Sequence, residues 1–176
     1  MPTPEKTSFA EIVAAGRELL EAGGQQALTM QSVAARVGVR APSLYKHVGN
    51  RAALLTAVAE ATIDDLIARL ESAGGSVEGV ARGYRRFAQA WPEGFRLMLS
   101  ADVPPEILAR AAAPLLEESR RLVGERRALD AARLVTAWAT GFIGMELNGA
   151  FRLGGDVDEA FEYGLAAIRR ALADGH

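Results

Sequence analysis

Apolar positions recur every three to four residues along most of the chain, without the strict alternation of a half-buried strand, so the pattern predicts helices. Ser8 and Glu11 form an S-x-x-E capping box around Phe9, ahead of Ile12, Val13, Gly16, Leu19 and Leu20, and Gly23-Gly24 supplies a stop. Thr29 is the expected N-cap of a second, short helix with Met30, Val33, Ala34 and Val37 on one face, ended by Gly38. A third fits Ala41 to about Val48, with Pro42 in the first turn, where a missing N–H is harmless. Gly49-Asn50 ends it and caps a long fourth helix running from Arg51 to the Ser72–Gly75 break. Beyond the break the spacing predicts more apolar helices at 77–90, 92–100, 104–124, 127–151 and 156–173, punctuated by proline and glycine. The expected architecture is all-α. A three-helix module (1–50) leads through connecting helix 4 (51–72) into a larger helical domain (73–176).

Composition removes several kinds of chemistry. The chain has 176 residues, no cysteine and two histidines, His47 and His176, so disulfides, thiol nucleophiles and metal clusters are poorly supplied. No paired-carboxylate or H-E-x-x-H pattern appears, and no catalytic residue, metal or cofactor is expected. The N-terminus lacks the basic start and apolar run of a secretory leader, and no apolar stretch reaches the roughly 18 residues of a membrane span. A cytoplasmic protein with no membrane partner is expected.

Charge changes the picture locally. The formal net charge is −2, yet no Asp or Glu lies between Glu21 and Glu60, a window holding Arg36, Arg40, Lys46, Arg51 and His47. A bare charge run is most simply a solvated face. Here two short helices joined by a tight glycine turn, preceded by a longer one, outline a helix-turn-helix, whose second helix enters the major groove. With Leu44 and Val48 inward beside Val39, the spacing leaves Arg40, Ala41, Ser43, Lys46 and His47 outward around Tyr45. Tyr45 itself fits either a wet site or a core position with a satisfied hydroxyl.

The run "TMQSVAARVGVRAPSLYKHVGNRAALL", Thr29 through Leu55, resembles the DNA-binding signature of the tetracycline-repressor (TetR-type) transcriptional regulators, and the family pattern covers residues 8 to about 60. The resemblance implies that Gln31, Ala41, Pro42, Ser43 and Tyr45 lie nearest base edges. It implies that Thr29, Tyr45, Lys46, His47 and Arg51 hold phosphates. The chemistry agrees: glutamine pairs bidentately with adenine, Ala41 and Pro42 offer apolar contact to a thymine methyl, and cations at phosphates position without reading sequence. Two positions depart from the pattern. Arg40 stands where relatives carry Ser, Thr or Glu, leaving either a weak helix cap or a side chain that reads guanine, and Val48 replaces a commoner Phe.

The second half holds the bulkiest apolar cluster: Tyr84, Phe87, Trp91, Phe95, Met98 and Leu99, then Trp138, Phe142, Met145 and Phe151. Singly these read as core; together they leave room for a small-molecule cavity. The run 137–151, "AWATGFIGMELNGAF", resembles a C-terminal subclass of the same family, with Thr140 where members carry His. Glu146 among apolar neighbours reads either as an ion pair with an arginine such as Arg133 or Arg152, or as a ligand anchor. Gly141, Gly144 and Gly149 lower helix propensity, so close helix approach is expected to compensate. The resemblance further implies a homodimer through the last two long helices, with Leu134, Val135, Phe161, Leu165, Ile168 and Leu172 as candidates. Paired recognition helices about 34 Å apart would then read two half-sites. The function expected is a dimeric repressor that binds double-stranded operator DNA of palindromic sequence and is released by a small, largely apolar effector. The alternatives are a helical enzyme, or a small-molecule-binding module without DNA binding.

Overall fold

The computed structural model describes residues 7–73 and 75–174. The residues read against a secretory leader up to Lys6, together with Gly74 and His176, lie outside them. Among the described residues the chain is helical throughout: α1 (Phe9–Ala27), α2 (Met30–Arg36), α3 (Ala41–Leu44), α4 (Arg51–Ser72), α5 (Val77–Ala90), α6 (Pro92–Ser100), α7 (Pro105–Val123), α8 (Glu125–Leu147) and α9 (Val157–Asp174).

The first two helices start at side-chain caps. Ser8 accepts from the Glu11 backbone N–H while the Glu11 carboxylate accepts from that of Ser8 at 2.6 Å, the reciprocal bonds of a capping box. That hydrogen bonding holds the Glu11 carboxyl below its ordinary range. Gly23 and Gly24 do break the helical path, Gly24 with φ +68, but α1 resumes for one turn to Ala27. α3 is shorter than its apolar spacing suggests: the helix proper stops at Leu44 and a turn carries the chain through His47, with the amide of Val48 donating to the Leu44 carbonyl. α8 stops at Leu147, four residues before the predicted end at 151. There Gly149 adopts φ +61, its amide donates to the Glu146 carbonyl, and Ala150 donates to that of Met145, the bond pair of a Schellman ending.

The chain divides into two compact units, Met1–Asp65 with Trp91–Ile107 and Leu66–Ala90 with Leu108–His176. In the first, α1 packs against α2 and α6, and α2 against α3. Its interior is Ile12, Leu20, Leu28, Val33, Leu44, Leu54, Val58, Phe95 and Leu97. α1 and α4 meet closely at Gly16, where an added Cβ would lie 2.8 Å from Val58 Cγ2. Glu21 of α1 accepts from the backbone N–H groups of Glu93 and Gly94, so a carboxylate caps the positive end of α6. Arg17 bridges to Asp65 at 2.9 Å and sits over the Trp91 ring.

In the second unit α5, α8 and α9 pack together around Phe87, Val135, Ile143, Phe161 and Leu165. Val135, Phe161 and Leu165 are therefore interior to one chain, which corrects their reading as dimer contacts. Apolar periodicity marks a buried face and is blind to what buries it. The expected tight approach at Gly141 and Gly144 is also absent among the described residues, since none of them lies within 4 Å of an added Cβ at either. The close approach falls at Gly164 of α9, where a Cβ would meet the Trp138 ring at 2.6 Å. Gly164→Ala should therefore lower the melting temperature by about 2–4 °C, because displacing the Trp138 ring outweighs the roughly 1 kcal/mol that alanine gains on an open helix. Thermal unfolding followed by circular dichroism checks this; a raised midpoint contradicts it.

Candidate functional site

The candidate reading surface is built on two caps and one glycine, beginning with α2. Thr29 Oγ1 accepts from the Ser32 amide and Ser32 Oγ accepts from the Thr29 amide, both at 3.0 Å. Ser32, which the sequence reading overlooked, thus completes a capping box in which serine replaces the usual Glu; the T-x-x-S spacing was the available signal. Gly38 has φ +72 with open space where a side chain would go, so the turn demands glycine for its backbone alone. Val39 then donates to the Ala34 carbonyl and α3 begins.

Arg40 is the N-cap of α3 and makes no side-chain capping bond, as its departure from the family pattern suggested. Leu44 and Val48 are buried and root the segment in the core. Around them Arg40, Pro42 and Lys46 are exposed, Ala41, Ser43 and His47 half-buried, and Tyr45 is 54% exposed, so its ring belongs to the wet face. Gln31 is exposed on the first turn of α2. The structure thus gathers these residues onto one short segment and the start of its neighbour.

Two basic residues are engaged elsewhere. Arg36 pairs with Glu18 of α1 at 2.6 Å, which removes it from the uncompensated positive charge. Arg51 opens α4 and donates through Nε to the Leu28 carbonyl at 2.8 Å and through Nη2 to that of Gln25 at 2.5 Å. Its guanidinium satisfies backbone acceptors at the end of α1 and ties α4 to them. Asn50 caps the same helix, its side-chain oxygen accepting from the Ala53 amide at 2.9 Å.

Nine of the candidates for an effector site do not share one unit. Trp91, Phe95 and Met98 belong to the first; Tyr84, Phe87, Trp138, Phe142, Met145 and Glu146 belong to the second. Within the second, Trp138 stacks on Phe161 at 5.0 Å, and Phe142 contacts both Phe161 and Phe151. The Tyr84 hydroxyl lies 3.2 Å from Thr140 Oγ1, and burial pushes its acidity down, the pKa rising above the usual tyrosine value. Phe87 is buried and Met145 is 48% exposed.

Glu146 resolves to an ion pair, with a different arginine from either expected. Arg85 of α5 donates Nε and Nη2 to its two carboxylate oxygens at 2.8 and 2.7 Å, and Gln89 donates at 2.8 Å. Arg85 is buried, also meets Asp158 at 2.6 Å, and lies over the Phe161 ring at 4.7 Å. The bond to Glu146 raises the Arg85 pKa, and the bond from Arg85 holds Glu146 below the usual carboxylate range. Arg133 shares α8 with Glu146 but lies more than three turns away, too far to reach along one helix.

A groove of about 400 Å³ opens between α1 and α4, floored by Phe9, Val13, Ala14, Ala57 and Ala61. None of the nine candidates lines it. No group of His, Asp and Glu among the described residues is arranged to hold a metal ion, and no described helix is long and apolar enough to cross a membrane.

A capped helix, a left-handed glycine and a second short helix rooted by two apolar residues, followed by a helical second unit, define a helix-turn-helix regulator. Comparison with known proteins narrows this. Residues 12–58 match "Bacterial regulatory proteins, tetR family", and residues 77–168 match "Tetracyclin repressor-like, C-terminal domain". An HTH-type transcriptional regulator of Mycobacterium tuberculosis is 32% identical over 160 residues, covering 83% of this chain and 73% of that protein. The class A tetracycline repressor of transposon 1721 in Escherichia coli is 34% identical over 91 residues, 49% of this chain and 42% of its own length. Among solved structures, the Streptomyces coelicolor regulator ActR in complex with (S)-DNPA superposes with a TM-score of 0.73 at 20% identity, covering 97% of this chain and 99% of that one. TetR from Acinetobacter baumannii, a variant of which is solved in complex with minocycline, does so with 0.71 at 21% identity over 94% and 96%. The chain belongs to the TetR family. It is a DNA-binding transcriptional regulator and not an enzyme.

Proposed function

We propose that the protein is a repressor that binds a palindromic operator as a homodimer in the cytoplasm and leaves it when a small, largely apolar effector binds. The observation that carries the DNA half of this reading is the exposed, acid-free segment Arg40 to His47, held by buried Leu44 and Val48. Residues 1–50 then act as the DNA-binding module, 51–72 as the connecting helix, and 73–176 as the effector and dimerisation domain. Gln31, Ala41, Pro42, Ser43 and Tyr45 face base edges. Thr29, Lys46 and His47 hold phosphates with Tyr45, and Arg51 joins them from its fixed position at the start of α4. Arg40, uncommitted to a cap, reads a guanine.

The effector half rests on the aromatic groups of the second unit, Tyr84, Phe87, Trp138 and Phe142. The minocycline and (S)-DNPA complexes of the two relatives support a small-molecule effector. Release requires that the effector favour the state unable to bind DNA; a coupling of about 1–3 kcal/mol suffices. Glu146, already neutralised by Arg85, serves as structure and not as the effector's anchor. Dimerisation uses the outward faces of α8 and α9, where Leu134 is 48% exposed; Ile168 and Leu172, half-buried, fall on the side of α9 that carries Phe161 and Leu165 and are not part of that face.

Footprinting on DNA upstream of the coding region tests the reading. The expected result is protection of a two-fold symmetric site, with affinity falling steeply as salt rises because each neutralised phosphate releases counterions. No protection at any sequence, together with a flat salt dependence, overturns it.

A further inference from the structure

The outward face of α9 carries opposite charges in an arrangement that is complementary to itself. Glu159 and Arg170 lie about three helical turns apart and almost in line along the axis, with Tyr163 and Ala166 between them on the same stripe. All four are exposed, Tyr163 to 75%. Three other charges of this helix are used within the chain. Glu162 receives two bonds from Arg82, at 2.8 and 2.7 Å; Asp158 meets Arg85; and Arg169 meets Glu78 at 2.6 Å. Among the described residues no ion pair within the chain engages Glu159 or Arg170.

We propose that a second copy of this chain lies antiparallel along this stripe, so that Glu159 meets the partner's Arg170 and the reciprocal pair closes across the two-fold axis. The inference rests on the homodimer reading above and adds to it the register and the residues that set it. Two-fold symmetry requires that if one residue meets another, the second meets the first on the other side. The midpoint of Glu159 and Arg170 falls between Gly164 and Leu165, which sets Tyr163 against the partner's Ala166. A large exposed ring thus faces a small side chain, the pairing that lets two helices approach closely. A parallel copy would set like charge against like, and the antiparallel one satisfies both ends at once. The occupant is accordingly a second copy, whose charges match by construction.

Sedimentation equilibrium on the full chain at low salt tests the register, with Glu159→Arg, Arg170→Glu and the two combined. Each single change replaces two attractive pairs per dimer by two repulsive ones and should weaken the dimer about tenfold or more. The combined exchange should return the dissociation constant to within about threefold of the parent. An effect confined to one helix predicts the opposite, because arginine near the positive end of α9 and glutamate toward its negative end make the combined variant the worst of the three. Unchanged dimers in both single variants, or a combined variant no better than either, overturn the register while leaving the homodimer reading standing. A parent chain that is monomeric at tens of micromolar overturns both.

Discussion

Tyr45→Ala combined with Lys46→Ala should weaken operator binding on the order of a hundredfold while leaving the fold untouched. Both side chains are exposed and no core contact depends on them, so the melting temperature should stay within the range of ordinary surface changes, about 0.5 kcal/mol. Their losses differ in kind. Lys46 is a point charge at a phosphate, so Lys46→Ala alone should weaken all DNA alike and reduce the slope of log affinity against log salt by about one. Tyr45 faces both backbone and base, so Tyr45→Ala should also narrow the gap between operator and random DNA. Fluorescence anisotropy with operator and scrambled duplexes over a salt series separates the two effects. An unchanged affinity in the double variant means that this face does not touch DNA.

How much of this could be read from the chain differs between its halves for a physical reason. The N-terminal module is governed by local rules. Capping boxes at Ser8 and Thr29, the left-handed glycine at position 38 and the Asn50 cap are interactions between residues three or four apart, and spacing exposes them. Even there Arg36 and Arg51 escaped, since their partners Glu18, Gln25 and Leu28 lie on α1 or at its end. In the second half the deciding contacts are long-range. Thr140 faces Tyr84, Glu146 faces Arg85, and Trp138 lies over Gly164. Helical periodicity identifies which side of α8 or α9 is apolar but not which apolar residues face the protomer's own core, and so Val135, Phe161 and Leu165 were indistinguishable from Leu134. The glycines show the same limit: Gly141 and Gly144 stand in a suggestive run yet meet nothing among the described residues, while Gly164, outside that run, is where two helices touch.

Arg85→Leu should be the most destabilising single change in the second unit, lowering stability by about 3 kcal/mol and the melting temperature by about 6–12 °C. The guanidinium is buried against Phe161 and bonded to Glu146 and Asp158. Removing it leaves the Glu146 carboxylate, whose side chain is only 18% exposed, beside aromatic rings without its main cation. An unpaired charge costs more there than the pair contributes in place, so Arg85→Leu with Glu146→Leu should recover much of the loss. Acid titration gives an independent readout. Glu146 is held below its ordinary pKa, so its contribution is fully present above the unfolded value near 4.5 and is lost as pH falls through the folded one. The parent should lose stability below about pH 4.5, and Glu146→Gln should show a shallower loss over that window. If Arg85→Leu instead melts within about 2 °C of the parent, the pair is not structural, and Glu146 becomes available as the anchor for a cationic effector.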